Sequence, residues 1–390
     1  RHAATAGAGA RRMTPPLPRV CFVLPSLHGG GAERAAVHIL NGLDGSRWDR
    51  SMYLFRREGP YLEDLHPSIA VVSGPGGSRL RRWLHLRRYL RSSRPHLVMS
   101  FLSYFSALTA ARGAGIGTRV VFNQQTPMSA FLADADYPWR GPWHRRAFSL
   151  VTRAAYRLAD AIVTTSAGVR DDLVAAFGVP PGRVQVVHNP VDLDAIRARA
   201  EEPLDAAEVC AWSHPVIVAA GRLAAAKNYP LMLDALAVLR RTVPARLFIL
   251  GQGDCEGAMR EQIERLDLGD AVVLCGFQSN PWKYIARADV FALTSRYEGF
   301  GNVLVEAMAC GVPVVATTSP GTREIVADGT DGLLVDRHEA GPVAAALERV
   351  LTDGALRQRL AAASRAGATR FALPSIAAAY DNLLHRTLAC

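Results

Sequence analysis

Two carboxylates, Glu298 and Glu306, stand eight positions apart in the stretch T-S-R-Y-E-G-F-G-N-V-L-V-E-A-M-A-C-G at 294–311. A glycine-broken loop separates them. The apolar run before it, 289–295, reads as a buried strand, and the residues after it as a short amphipathic helix followed by a second strand at 314–317. A strand that passes through such a loop into a helix N-terminus is where an open α/β sheet binds anions. Two cations, Arg222 and Lys227, follow another strand-like run, V-I-V-A-A at 216–220. Five positions apart at a strand end, they can both reach one diphosphate, Arg as a fork and Lys as a point charge. A third feature, Gly29-Gly30-Gly31, lies between the run R-V-C-F-V-L and a helical pattern. Glycines there let backbone N–H groups come close to a ligand. The spelling is not G-x-G-x-x-G, so a dinucleotide site is not expected.

These groups need a scaffold of strand ends. Short apolar runs at 51–55, 69–73, 97–102, 119–123, 161–165 and 184–188 alternate with helical patterns, and so do runs at 245–251, 271–277 and 332–335. Alternation of this kind predicts parallel sheets in doubly wound domains. At 390 residues the chain fits two domains. We place an N-terminal Rossmann-like domain at 19–193, a linker at 194–214, a second such domain at 215–371, and at 372–390 a C-terminal helix crossing back toward the first domain. Residues 1–18 lack the apolar core of a signal peptide and are expected to be disordered. The aromatic, proline-rich stretch 123–146 has the composition of an acceptor-binding loop with a partly helical cover.

Composition excludes several classes. No apolar run approaches the ~20 residues that span a bilayer. The six cysteines are scattered, without a C-x-x-C pair, as expected of a reducing compartment such as the cytoplasm. Charge is uneven: positions 1–199 hold 27 arginines, no lysine and 13 acidic residues, a surplus of +14, while the remainder carries −4. Such a basic half suits an anionic membrane surface. Nucleic acid is disfavoured because no reading module accompanies the charge. The densest cluster, R-L-R-R-W-L-H-L-R-R-Y-L-R at 79–91, predicts a helix with Trp83, Leu86 and Leu90 inward and Arg81, His85 and Arg88 on the opposite face. With Arg87 and Arg91, these arginines are expected at the inner face of the cytoplasmic membrane.

Taken together, G-G-G-A-E-R at 29–34, N-P-V-D at 189–192, G-R-L with K-N at 221–228, G-Q-G at 251–253, A-D-V-F at 288–291, the 295–317 stretch and P-G-T-R-E-I at 320–325 resemble the family 4 retaining glycosyltransferases of the GT-B fold. The opening motif resembles the branch that assembles lipid-linked oligosaccharides or capsular glycans. The resemblance implies two Rossmann-like domains facing a cleft and a nucleotide sugar, with UDP favoured over GDP-mannose, as co-substrate. The acceptor it implies is a glycan or a polyprenyl-diphosphate-linked glycan. Glu306 would accept the ribose hydroxyls and Glu298 would hold a donor-sugar hydroxyl. Arg222 and Lys227 would clamp the diphosphate, and the backbone of Phe300, Gly301 and Asn302 would touch sugar or phosphate. Gly30 and Gly31 would close over the donor, with Gln252 and Phe277 beside base and diphosphate. Cations suffice to meet charge on a departing nucleoside diphosphate. No D-x-D stands in a suggestive loop (Asp134-Ala135-Asp136 and Asp192-Leu193-Asp194 match the wrong places), so metal independence is expected. Where many relatives carry a sugar-contacting His, this chain reads Asn123-Gln124-Gln125, an amide in place of the imidazole. The same residues leave open a glycosidase, from the two carboxylates, and a non-catalytic anionic-membrane-binding module, from the basic half.

Overall fold

The computed structural model describes residues 16–133, 141–204, 212 and 215–389. Two all-parallel sheets organise the chain. The first contains β1 (Arg19–Leu24), β2 (Asp49–Leu54), β3 (Ala70–Ser73), β4 (Leu97–Ser100), β5 (Arg119–Gln124), β6 (Ala161–Thr164) and β7 (Val184–Val186), in the order β3-β2-β1-β4-β5-β6-β7. The second contains β8 (Val216–Ala220), β9 (Arg246–Leu250), β10 (Val272–Gly276), β11 (Val290–Leu293), β12 (Val314–Thr317) and β13 (Leu333–Val335), in the order β10-β9-β8-β11-β12-β13. The central strands are buried on both faces because helices cover both sides, which is why they read as continuous apolar runs rather than alternating ones.

Each sheet reverses its strand order once, between β1 and β4 and between β8 and β11. A crevice opens at the carboxyl ends of the strands at such a point. The glycine loop follows β1, Arg222 follows β8 and Glu298 follows β11, so the topology aims all three into the gap between the sheets.

The chain crosses between the sheets twice, side by side. Val191 N–H donates to the Phe371 carbonyl at 2.9 Å, and Leu373 N–H donates to the Val191 carbonyl at 3.0 Å. Part of the expected linker is the helix Leu193–Ala200, capped by Asp192, whose carboxylate accepts from Ala195 N–H. Its Leu193, Ile196 and Ala200 pack with Trp282, Leu304 and Val305 of the second half. Residues 205–211 and 213–214 of that linker lie outside the described residues, as do 1–15 of the expected N-terminal extension and Asp134-Ala135-Asp136. The final helix, Leu373–Ala389, packs on the helix Gly31–Gly42 that follows the glycine loop. It buries Ile376, Tyr380, Leu383 and Leu384 in the first half's core, each worth about 1.5–3 kcal/mol on burial. Asp381 fixes its register by accepting from Trp48 Nε1 at 2.6 Å and Arg47 at 2.5 Å.

The arginine-rich helix spans Arg79–Ser93. Leu86 and Leu90 are buried as the periodicity requires. His85 departs from its predicted outer face: its Nδ1 lies 3.0 Å from the hydroxyl of Tyr53 on β2, the strand the helix covers at that point. Arg87 also turns inward and donates to the Gly113 carbonyl at 2.7 Å. Arg81, Arg88 and Arg91 remain exposed.

Candidate active site

A solvent-open cleft of about 520 Å³ lies between the two strand-end edges and is lined by residues of both halves. It brings together the residues expected to hold the donor: Gly30, Gly31, Arg222, Lys227, Gln252, Phe277, Glu298, Phe300, Gly301, Asn302 and Glu306 all line it.

Glu306 sits one turn into the helix Asn302–Ala309 and is buried. One carboxylate oxygen accepts from Trp282 Nε1 at 2.9 Å, the other from Arg34 of the opposite half at 2.8 Å. The Arg34 guanidinium lies 4.9 Å from the Tyr61 ring centroid and 5.3 Å from that of Trp282. Burial works against its charge, but the Glu306 carboxylate more than offsets that and holds its pKa above the ordinary value.

Glu298 occupies the loop. Its Oε1 accepts from Lys227 Nζ at 2.6 Å and from the Ser295 hydroxyl at 2.6 Å, and the residue lines the cleft. The carboxylate assigned to the sugar and the ammonium assigned to the diphosphate are thus one ion pair. Arg222 is exposed to the cleft and makes no ion pair among the described residues. Its near carboxylate is Glu33, which lies over the glycine loop: a Cβ on Gly30 would stand 2.3 Å from Glu33 Oε2 and 3.3 Å from an Arg222 guanidinium nitrogen. Burial pushes the Glu33 pKa up, while its own backbone N–H and Arg222 pull it back.

Other members divide between side chain and backbone. Asn302 bridges the halves: its amide donates to the Gly31 carbonyl at 3.0 Å and accepts from Asn189 at 3.0 Å. Phe300 turns its ring away from the cleft to stack on His188, centroids 5.3 Å apart, and to meet Phe371 edge-on. Gly301, at φ +105°, precedes the helix and points the loop backbone at the cleft. Phe277 stands half-exposed at the lip. The Gln124 amide donates to the Thr126 carbonyl at 2.6 Å and accepts from the Tyr156 hydroxyl at 2.8 Å. Gln125 exchanges bonds with Asn189 in both directions and donates to Asn123. These amides build the cleft wall and are bonded within it.

Arg34, Tyr61, Trp282 and Glu33 received no role from the sequence. Arg34 stands close to a helix N-terminus, where the dipole disfavours a cation, but that alone does not point to Glu306.

Two Rossmann-like domains facing a cleft at their switch points make this a GT-B protein. Residues 29–195 match the family model described as Glycosyltransferase Family 4, and residues 210–367 that described as Glycosyl transferases group 1. The chain belongs to the family 4 glycosyltransferases. It is 34% identical over 253 residues, 64% of each chain, to the N-acetylgalactosamine-N,N'-diacetylbacillosaminyl-diphospho-undecaprenol 4-alpha-N-acetylgalactosaminyltransferase of Campylobacter jejuni. It is 27% identical over 348 residues to the lipopolysaccharide core biosynthesis glycosyltransferase LpsE of Rhizobium meliloti, covering 85% of this chain and 88% of that one. Anabaena HepE, crystallised with UDP and glucose, superposes with a TM-score of 0.78 over 95% of this chain and 99% of its own, at 21% identity, a likeness of fold.

Proposed function

We propose that the protein moves a hexose or N-acetylhexosamine from a UDP-sugar to a hydroxyl of a lipid-linked or polysaccharide acceptor, with retention at the anomeric carbon and without a metal ion. The observation that carries this reading is the convergence of Arg222, the Lys227–Glu298 pair and Glu306 on one cleft. In it Glu306 takes the ribose hydroxyls and Glu298 Oε2 takes a donor-sugar hydroxyl. Arg222 and Lys227 meet the charge that grows on the departing diphosphate, which supports metal independence. The bond from C1 to the phosphate oxygen breaks with its electron pair leaving on UDP. The acceptor oxygen forms its bond to C1 on the same face, and its proton passes to the departing diphosphate oxygen. Same-face attack needs no carboxylate nucleophile, and both carboxylates of the reading are already engaged, Glu298 by Lys227 and Ser295 and Glu306 by Arg34 and Trp282. The names of the Campylobacter and Rhizobium relatives support the lipid-linked acceptor, and the HepE complex supports UDP.

The acceptor side is placed at an anionic membrane surface. In the helix Pro142–Leu158, Trp143, Ala147, Leu150, Val151, Ala154 and Leu158 are exposed and share a stripe about 100° wide. Arg146, Arg153 and Arg157 border it. An apolar stripe edged by arginine fits the headgroup boundary of a bilayer. Arg81, Arg88 and Arg91 add charge from the second basic helix. Among the described residues, no helix is long and apolar enough to cross a membrane.

The test is a panel of UDP- and GDP-sugars, each with and without chelator, read by thermal stabilisation and then by product mass. UDP stabilisation that survives chelation supports the reading, and indifference to every nucleotide overturns it. Glu306→Ala is expected mainly to weaken nucleotide binding, and Arg222→Ala mainly to lower turnover. Trp143→Glu with Leu150→Glu is expected to abolish sedimentation with phosphatidylglycerol vesicles; undiminished sedimentation overturns the membrane assignment.

A further inference from the structure

Arg34 makes a contact that the transfer chemistry does not require. Its guanidinium is bonded at 2.8 Å to Glu306, 272 positions away and in the other half of the molecule. The two side chains are 19% and 6% exposed, so the pair is sheltered from water. Tyr61 and Trp282 hold the guanidinium between their rings, and Arg199 lies 4.9 Å from the centroid of the same indole. A planar guanidinium is suited to this double constraint, which a lysine ammonium could not reproduce.

The position of Arg34 in the chain gives the contact its consequence. Arg34 N–H donates to the Gly30 carbonyl at 3.1 Å, the first bond of the helix, so its side chain and the glycine loop move together. The Gly31 carbonyl is held in turn by Asn302, four residues before Glu306. An ionised carboxylate offers about four lone-pair sites. Arg34 and Trp282 use two of them, one on each oxygen. Two remain, and both are oriented by the donors already present. A ribose diol and Arg34 are therefore partners on Glu306 rather than competitors for it.

We propose that Arg34 is a positioning residue that couples ribose recognition to the seating of the glycine loop over the diphosphate: it sets the Glu306 carboxylate from across the cleft and, through the first helical turn, brings Gly30 and Gly31 beside Arg222. This rests on the nucleotide-sugar reading above.

The experiment uses the full chain as wild type, Arg34→Lys, Arg34→Met, Glu306→Gln and the Arg34→Met/Glu306→Gln double variant. Each is checked for a native thermal transition and titrated calorimetrically with UDP. Donor KM and kcat are then measured with the sugar nucleotide that turns over. Interdomain coupling of this kind is worth about 5–150-fold. Arg34→Met is expected to raise the UDP Kd and the donor KM by about 10–100-fold, with kcat changed less than about fivefold. Arg34→Lys is expected to recover part of the affinity, and the double variant to bind UDP no worse than Glu306→Gln alone. A purely structural role would lower the melting temperature and leave the Kd of the folded fraction unchanged. UDP affinity of Arg34→Met within twofold of wild type, or losses that multiply in the double variant, would overturn the proposal. A wild-type chain that binds no nucleotide would overturn the nucleotide-sugar reading itself, and this proposal with it.

Discussion

Replacing Lys227 by Met separates the two tasks that its ammonium performs. Lys227 neutralises Glu298 at 2.6 Å, with side chains only 22% and 13% exposed. Removing one partner of a buried ion pair costs about 3–5 kcal/mol, because the other charge is left uncompensated. Here the cleft is open on one side and Ser295 still donates to Glu298. About half of that figure, roughly 1.5–2.5 kcal/mol, is the appropriate expectation for a partly solvated pair. At about 2–4 °C per kcal/mol for a domain of this size, the melting transition should fall by about 3–10 °C. Glu298→Gln introduced beside Lys227→Met removes the stranded charge while its amide oxygen still accepts from Ser295. The double variant should regain at least half of the lost stability and remain unable to turn over donor. Calorimetric scans without nucleotide, followed by single-turnover assays, read the two effects separately. A melting temperature for Lys227→Met within ~1 °C of wild type, or a double variant as unstable as the single, would refute the claim that this lysine holds Glu298 in place.

Two further outcomes follow from the cleft. Burial raises the folded-state pKa of Glu33 above its unfolded value. Its carboxyl therefore favours folding below the ordinary carboxylate range, and that contribution is lost as pH rises through the raised value. Glu33→Gln should gain in melting temperature relative to wild type between pH 4 and pH 7, and a pH-independent difference would count against a buried ionising carboxyl. Gly299 presses against the opposite wall, where an added Cβ would lie 1.9 Å from the Gln125 carbonyl oxygen. Gly299→Ala should hold the halves about 1 Å apart and lower kcat/KM by about 10²-fold. Activity within threefold of wild type would show that this contact does not set the closed geometry.

The sheets were readable because a strand buried on both faces carries its signature in consecutive residues. The runs at 216–220 and 314–317 match β8 and β12 at both ends, and the others differ from their strands by no more than two residues at either end. The site was readable in its members but not in its pairings. Lys227 and Glu298 looked like agents with separate ligands because 71 positions divide them, yet each is the other's partner. His85 went astray for a related reason. Periodicity locates a residue relative to its own element, whereas Tyr53, arriving from another element, decides where the imidazole points.

The pairing across the cleft also engages the glutamines and asparagines of its wall. A chain of hydrogen bonds runs from the Tyr380 hydroxyl through Asn123, Gln125, Asn189 and Asn302 to the Gly31 carbonyl, linking the final helix to the glycine loop. Each amide both donates and accepts, so buried polar groups on the two halves satisfy one another without adding charge. The charged contacts stand at either side of this seam, Arg34 with Glu306 and Lys227 with Glu298. An uncharged seam joins the halves on polar contacts and leaves Arg222, which makes no ion pair among the described residues, to an incoming anion.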